Sequence, residues 1–149
     1  MNKLIGFLKR HRRIGIDTSI FIYELEDNRR YSRLAHAVFE AIAEADHTAI
    51  ASTITMLELL VQPYRLTDSG RINQYYGLLT TYPNLIWIAP DLEIADLAAK
   101  LRAEYHLKTP DAIQAATCAH AAATGFITND AAFKRVAAFE TLQIDDLLD

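Results

Sequence analysis

Short apolar runs alternate with longer amphipathic stretches along this chain. Residues 14–16, Ile-Gly-Ile, run straight into Asp17 and read as a buried strand whose first polar group lies at its C-terminal edge. Thr18 or Ser19 begins the next turn, and 21–25 continues as helix. After a charged stretch, a second helix places Leu34, Val38, Phe39 and Ile42 on one face. A second strand falls at about 47–51. Ser52 or Thr53 caps the helix that follows, and Pro63 marks its disruption or end. Ile72, Tyr75, Tyr76 and Leu79 share the face of another amphipathic helix. A third strand covers 85–89. Residues 91–105 form a helix, with Ile94, Leu97, Ala98, Leu101 and Tyr105 at helical spacing. In Thr109-Pro110-Asp111, Thr109 suits the N-cap, Pro110 N1 and Asp111 N2. That helix runs on to Gly125, which ends it. Residues 126–128 make a fourth strand, 131–139 a short helix and 141–144 an edge strand. Strands alternating with helices predict an α/β fold, with a mainly parallel sheet of four to five strands covered on both faces.

The 149 residues suit one compact domain, and 51% of them are hydrophobic, enough for a sizeable core. The single cysteine, Cys118, falls in a helical stretch and reads as a small buried hydrophobe. No apolar run approaches the length of a membrane span, and Lys9, Arg10, Arg12 and Arg13 follow the short apolar stretch at 4–8, unlike the order in a signal peptide. The expectation is a cytoplasmic protein with no membrane association.

The net charge of −4 argues against a general nucleic-acid coat. Its distribution says more. Five of the fifteen Lys and Arg residues lie in the first 13 positions and none of the nineteen acids do, so the remainder carries a balance of −9. The chain therefore divides into a basic N-terminal arm, 1–13, and an acidic body, 14–149. The arm reads either as a phosphate or partner contact or as a frayed, solubilising terminus.

In open parallel sheets, ligands collect beyond the carboxyl ends of the strands. Asp17 and Asp130 both occupy such ends, and the loop before Asp111 should reach the same edge. Glu58 interrupts an otherwise apolar helical run. Singly, each has a plain alternative as a turn or capping residue. Together they suit a hard divalent cation, which would cancel their mutual repulsion and activate water beside a phosphate.

These motifs resemble a PIN-domain ribonuclease, most of all the VapC-type toxins of toxin–antitoxin pairs, over about residues 14–145. The resemblance rests on Asp17 in IGIDTSIFIYEL, Glu58 in STITMLELL, Asp111 in YHLKTPDAIQAAT and Asp130 in GFITNDAAF. It implies a three-layer α/β/α sandwich and a metal-dependent endoribonuclease using one or two Mg²⁺ or Mn²⁺ ions. It also implies a homodimer and inhibition by a cognate antitoxin protein. Asp17, Glu58, Asp111 and Asp130 would be both the catalytic residues and the metal ligands, with Ser19, Thr128 and Asn129 orienting them or their waters. The long lead before Ile14 departs from the family pattern.

Arg12, Arg13, Arg65 and Lys134 are candidates for RNA phosphate contact, and Tyr64 for stacking on an unpaired base; each could equally be ordinary surface. His11 and His106 read as surface residues with no part in the chemistry. Two other readings keep the fold: an RNA-processing nuclease without an antitoxin, and a non-catalytic α/β binding protein. An aspartyl-phosphate enzyme lacks support, because Asp17 is followed by Thr-Ser and no glycine-rich phosphate loop is present.

Overall fold

A computed structural model describes residues 2–44 and 46–148. Five strands, β1 (Arg13–Ile16), β2 (Thr48–Ser52), β3 (Leu85–Ile88), β4 (Gly125–Thr128) and β5 (Glu140–Gln143), form one sheet in the order β3-β2-β1-β4-β5. Every pairing is parallel. The α-helices among the described residues are α1 (Asn2–Arg10), α2 (Thr18–Leu25), α3 (Ser32–Glu44), α4 (Thr53–Arg65), α5 (Ser69–Leu79), α6 (Leu92–Tyr105) and α7 (Thr109–His120). None is long and apolar enough to cross a membrane.

The two-residue period of the strands sorts the core into two halves. Ile14, Ile16, Ala49, Ala51 and Ile127 face α1 to α5. Ile50 and Phe126 face the other way, toward α6, α7 and Phe133. The result is the expected α/β architecture, with the sheet as its middle layer. Gly15 lies on the second face, where a Cβ would collide with Cys118 Sγ and stand 2.7 Å from Phe126 Cδ2. Cys118 is buried, as expected, and burial pushes its thiol pKa up. Gly15→Ala should therefore cost roughly 1–3 kcal/mol by overpacking. Pairing it with Cys118→Ala removes the nearest atom and should recover part of the loss in a urea titration; no recovery would place the strain elsewhere.

Several sequence expectations are corrected here. The N-terminal segment is not frayed: α1 buries Leu4, Phe7 and Leu8 in the main core. Arg10 pairs with Glu140 at 2.6 Å, and His47 Nε2 lies 2.8 Å from the Leu8 carbonyl oxygen. His11 is no surface residue either. It is buried, with Nε2 2.7 Å from Glu140 and Nδ1 2.9 Å from the Thr124 hydroxyl. These contacts, Arg10 first, hold the Glu140 carboxyl down at about 2.

Gly125 does not end a helix. α7 stops at His120, the chain turns through Ala122 at φ 62°, and Gly125 opens β4. A side chain at 125 would stand 2.7 Å from Phe7 Cζ, so this glycine is the floor on which α1 rests. Pro63 is carried inside α4, which ends two residues later at Arg65. Tyr76 points to solvent while Tyr75 is buried. The segment 131–139 is helical only over Ala131–Arg135, as a 3-10 helix. At α7 the Ala112 N–H donates to the Lys108 carbonyl, so Lys108 is the N-cap and Asp111 falls at the third helical position. The Thr109 hydroxyl accepts instead from Arg102.

Candidate functional site

The strand order reverses direction at β1: β2 and β3 lie to one side, β4 and β5 to the other. The carboxyl ends of β1 and β4, at this reversal, are the usual ligand position in such sheets. Asp17 lies there, directly after β1. It caps α2, with Oδ1 accepting from the Thr18 N–H at 2.8 Å. Its Oδ2 accepts from Thr128 at 2.6 Å, at the end of the neighbouring strand β4, and from Ser19 at 3.1 Å. The carboxyl is only 6% exposed. Burial pushes its pKa up to about 6, the Thr128 and Ser19 hydrogen bonds pull the other way, and the charge of Asp111 adds to the rise.

Asp111 projects from the first turn of α7 and is half-buried. Desolvation raises its pKa, and the charges of Asp130 and Glu58 raise it further, while Lys108 draws it partly back. Asp111 is thus within electrostatic reach of the other three sequence-predicted acids, Asp17, Asp130 and Glu58. Glu58 stands on α4, exposed, and Asp130 caps the 3-10 helix after β4 through the Ala132 N–H. None of the ion pairs among the described residues involves any of the four. Among the described residues no three His, Cys, Asp or Glu side chains stand close enough to enclose an ion. The donors are all hard oxygen atoms in excess of local positive charge, a set that suits a divalent cation of the Mg²⁺ or Mn²⁺ kind.

Ser19 does more than touch Asp17, because its hydroxyl also accepts from the Asn129 N–H at 3.2 Å and so ties α2 to β4. Thr128 is fully buried and accepts from the Asp130 N–H. Asn129 turns away from the acids: its amide donates to the Tyr23 hydroxyl, and its Oδ1 accepts from the Asp145 N–H.

Sequence reasoning missed a buried relay beneath Glu58. Gln114 is 2% exposed and donates to Glu58 Oε1 at 2.8 Å and to the Thr18 hydroxyl at 2.9 Å. Thr18 in turn donates to the same Glu58 oxygen at 2.8 Å, so the Thr55 hydroxyl, 2.9 Å away, must be the donor to Thr18. The available signal was a glutamine inside the alanine-rich stretch of α7, where an uncompensated buried amide would be costly.

The basic candidates do not gather here. Arg12 precedes β1 and Arg13 opens it, so both lie at the opposite end of the strand, roughly 13 Å or more from Asp17. Arg13 donates twice to the Ala121 carbonyl. Tyr64 and Arg65 are exposed in the last turn of α4, roughly 10 Å further along the helix than Glu58. Lys134 is nearest, four residues after Asp130, and pairs with Asp146 at 2.7 Å. His106 is exposed, in the left-handed C-cap of α6.

A doubly wound α/β domain with acids gathered at its switch point belongs to a class that binds its ligand at the carboxyl edge of the sheet. The family model of the PIN domain matches residues 14–139, and the chain belongs to that family. Its structural neighbours are VapC toxins of VapBC toxin–antitoxin complexes. A toxin–antitoxin complex from Klebsiella pneumoniae matches at 26% identity over 88% of this chain and 97% of that one, with a TM-score of 0.67. VapBC2 from Rickettsia felis, crystallised with a DNA fragment from its promoter, matches at 16% identity over 87% and 97%, with a TM-score of 0.66. VapBC-5 from Mycobacterium tuberculosis matches at 23% identity over 89% and 98%, with a TM-score of 0.59. No curated protein sequence matches the chain.

Proposed function

We propose that this protein is a Mg²⁺- or Mn²⁺-dependent endoribonuclease and the toxin of a toxin–antitoxin pair. The observation that carries the reading is Asp17: a carboxyl buried at the switch point and fixed by Thr128, Ser19 and the Thr18 N–H, with the charge of Asp111 acting on it. Burying a carboxylate with no cation is unfavourable, and a ligand of opposite charge makes the placement intelligible. Asp17, Glu58, Asp111 and Asp130 would hold the ion or ions. A bound divalent ion supplies charge neutralisation at the phosphate and a more acidic water. Thr128 and Ser19 both donate to one oxygen of Asp17 and so set the direction of its other lone pairs. Gln114 and Thr18 do the same for Glu58. The reaction is hydrolysis of an RNA phosphodiester: water adds to phosphorus, and the bond to the leaving ribose oxygen breaks.

The toxin assignment draws on the family and on the toxin–antitoxin complexes among the structural neighbours. Self-association is supported by an exposed stripe on α4, Leu57, Val61 and Tyr64, at helical spacing.

The test is incubation of the purified chain with total cellular RNA in Mn²⁺ or Mg²⁺, beside EDTA, with and without the product of the adjacent gene. Discrete products that need the metal and disappear with the partner are expected. Cleavage that persists in EDTA would overturn the metal dependence, and no cleavage with either metal would overturn the nuclease. Gln114→Leu should weaken Mn²⁺ binding by about 10–100-fold, the usual cost of losing a group that orients a ligand. Calorimetric titration checks this, and unchanged affinity would reduce Gln114 to a packing residue.

A further inference from the structure

We propose that a cavity between α3 and the 3-10 helix Ile144–Leu147 holds one unpaired nucleotide of the RNA, its phosphate on Arg30 and Arg33. The proposal rests on the nuclease reading above and names a substrate contact for that same site. The cavity has a volume of about 460 Å³, inside the roughly 300–1,000 Å³ range of pockets for small organic ligands. Its lining sets Arg30, Arg33, His36 and Glu40 against Leu34 and Leu148.

Three observations favour a nucleotide. First, Arg30 in the cavity wall is tied to the loop that carries Asp130. Asn129, next to Asp130, accepts from the Asp145 N–H; the Asp145 carboxylate accepts from the Tyr31 hydroxyl at 2.7 Å and stands 3.6 Å from Arg30. Second, the charges are unequally committed. The His36 ring lies 3.2 Å from both Glu24 and Glu40, so its charge is answered locally. Arg33 is exposed and has neither an ion pair nor a hydrogen bond among the described residues. Arg30 is spread over the Tyr31 ring at 5.5 Å, with Tyr31 stacked on Tyr23 behind it. A free guanidinium in an otherwise acidic body matches a phosphate diester. Third, the apolar floor is small. The large exposed apolar side chains, among them Leu57, Tyr64, Leu66 and Leu92, lie elsewhere, so the cavity offers a base edge-on polar partners and a short hydrophobic seat rather than a groove for a protein helix.

Steady-state cleavage with Mn²⁺ tests this, using a labelled single-stranded RNA oligonucleotide that spans a junction mapped in total RNA. Arg33→Glu should raise KM about tenfold while kcat changes far less, and should lower the dependence of kcat/KM on salt by about one unit of logarithmic slope. Arg33→Ala should move both in the same direction by less. Lys100→Glu, a charge reversal on α6 whose partner is Asp96, should leave KM unchanged. A wild-type chain that cuts this RNA while Arg33→Glu shows the same KM and salt slope would overturn the nucleotide site and leave the nuclease standing. A wild-type chain that cuts no RNA would overturn both. A matching rise in KM for Lys100→Glu would overturn the site as well, by showing that only net charge matters.

Discussion

Asp17→Asn is expected to stop RNA cleavage and, in the same molecule, to raise the melting temperature of the metal-free protein. The first effect follows from the placement of this carboxyl as a metal ligand: losing several kcal/mol of electrostatic stabilisation slows cleavage by roughly a thousandfold or more. The second follows from its burial. The folded chain holds the Asp17 proton up to about pH 6, against an ordinary value of 3.8, chiefly through desolvation. A carboxyl whose pKa is raised on folding binds more protons folded than unfolded, so stability falls as pH rises from about 4 through about 6 and is level above that. The shift corresponds to about 3 kcal/mol lost at neutral pH. Asparagine carries no charge and keeps an oxygen for the Thr18 N–H. In EDTA at pH 7.5 it should melt several degrees higher than wild type, with the difference vanishing near pH 4. Retained cleavage would remove Asp17 from the chemistry. A lower melting temperature would mean that the hydrogen bonds from Thr128 and Ser19 need the charge more than burial opposes it.

Phe7→Ala is expected to cost about 3–5 kcal/mol, the usual range for a fully buried phenylalanine. Phe7 is 1% exposed, its ring lies 4.7 Å from that of His11, and Gly125 is the surface beneath it. Truncation leaves a void that neither neighbour can fill, because Gly125 has no side chain and His11 is held by Glu140 and Thr124. Removing the Arg10–Glu140 pair should matter far less, since both groups are half-exposed and their attraction is screened by solvent. Guanidinium unfolding of the two variants separates the contributions. A Phe7→Ala cost below about 1 kcal/mol would reduce α1 to an attached helix outside the cooperative core.

The acids were legible because each breaks a local rule. Asp17 and Asp130 end apolar runs, Glu58 interrupts one, and Asp111 follows a proline at a helix start. Their partners were not legible. Gln114 and Thr55 make sense only when α7, α4 and the start of α2 are brought together, and no spacing along the chain encodes that. Asn129, read as a helper of the acids, is drawn off by Tyr23 and Asp145, two groups far away in sequence. Gly125 misled because glycine serves two ends, a left-handed turn or a close approach, and only the packed α1 shows which applies. The N-terminal segment misled for a related reason. Its charges suggested an arm, but at helical spacing they leave Leu4, Phe7 and Leu8 on one side.

The direction of β1 also governs how the molecule can be handled. α1 leads into the amino end of that strand, so a label placed on exposed Arg12, in the turn between them, stands on the side of the sheet remote from Asp17. A handle placed behind Leu148 emerges next to Asp145 and the cavity lined by Leu148. Immobilisation through Arg12 therefore leaves the acids open, whereas, on the proposed function, a C-terminal fusion would stand near the bound RNA. A chain tagged only at its C-terminus can therefore look inactive for reasons that have nothing to do with its acids.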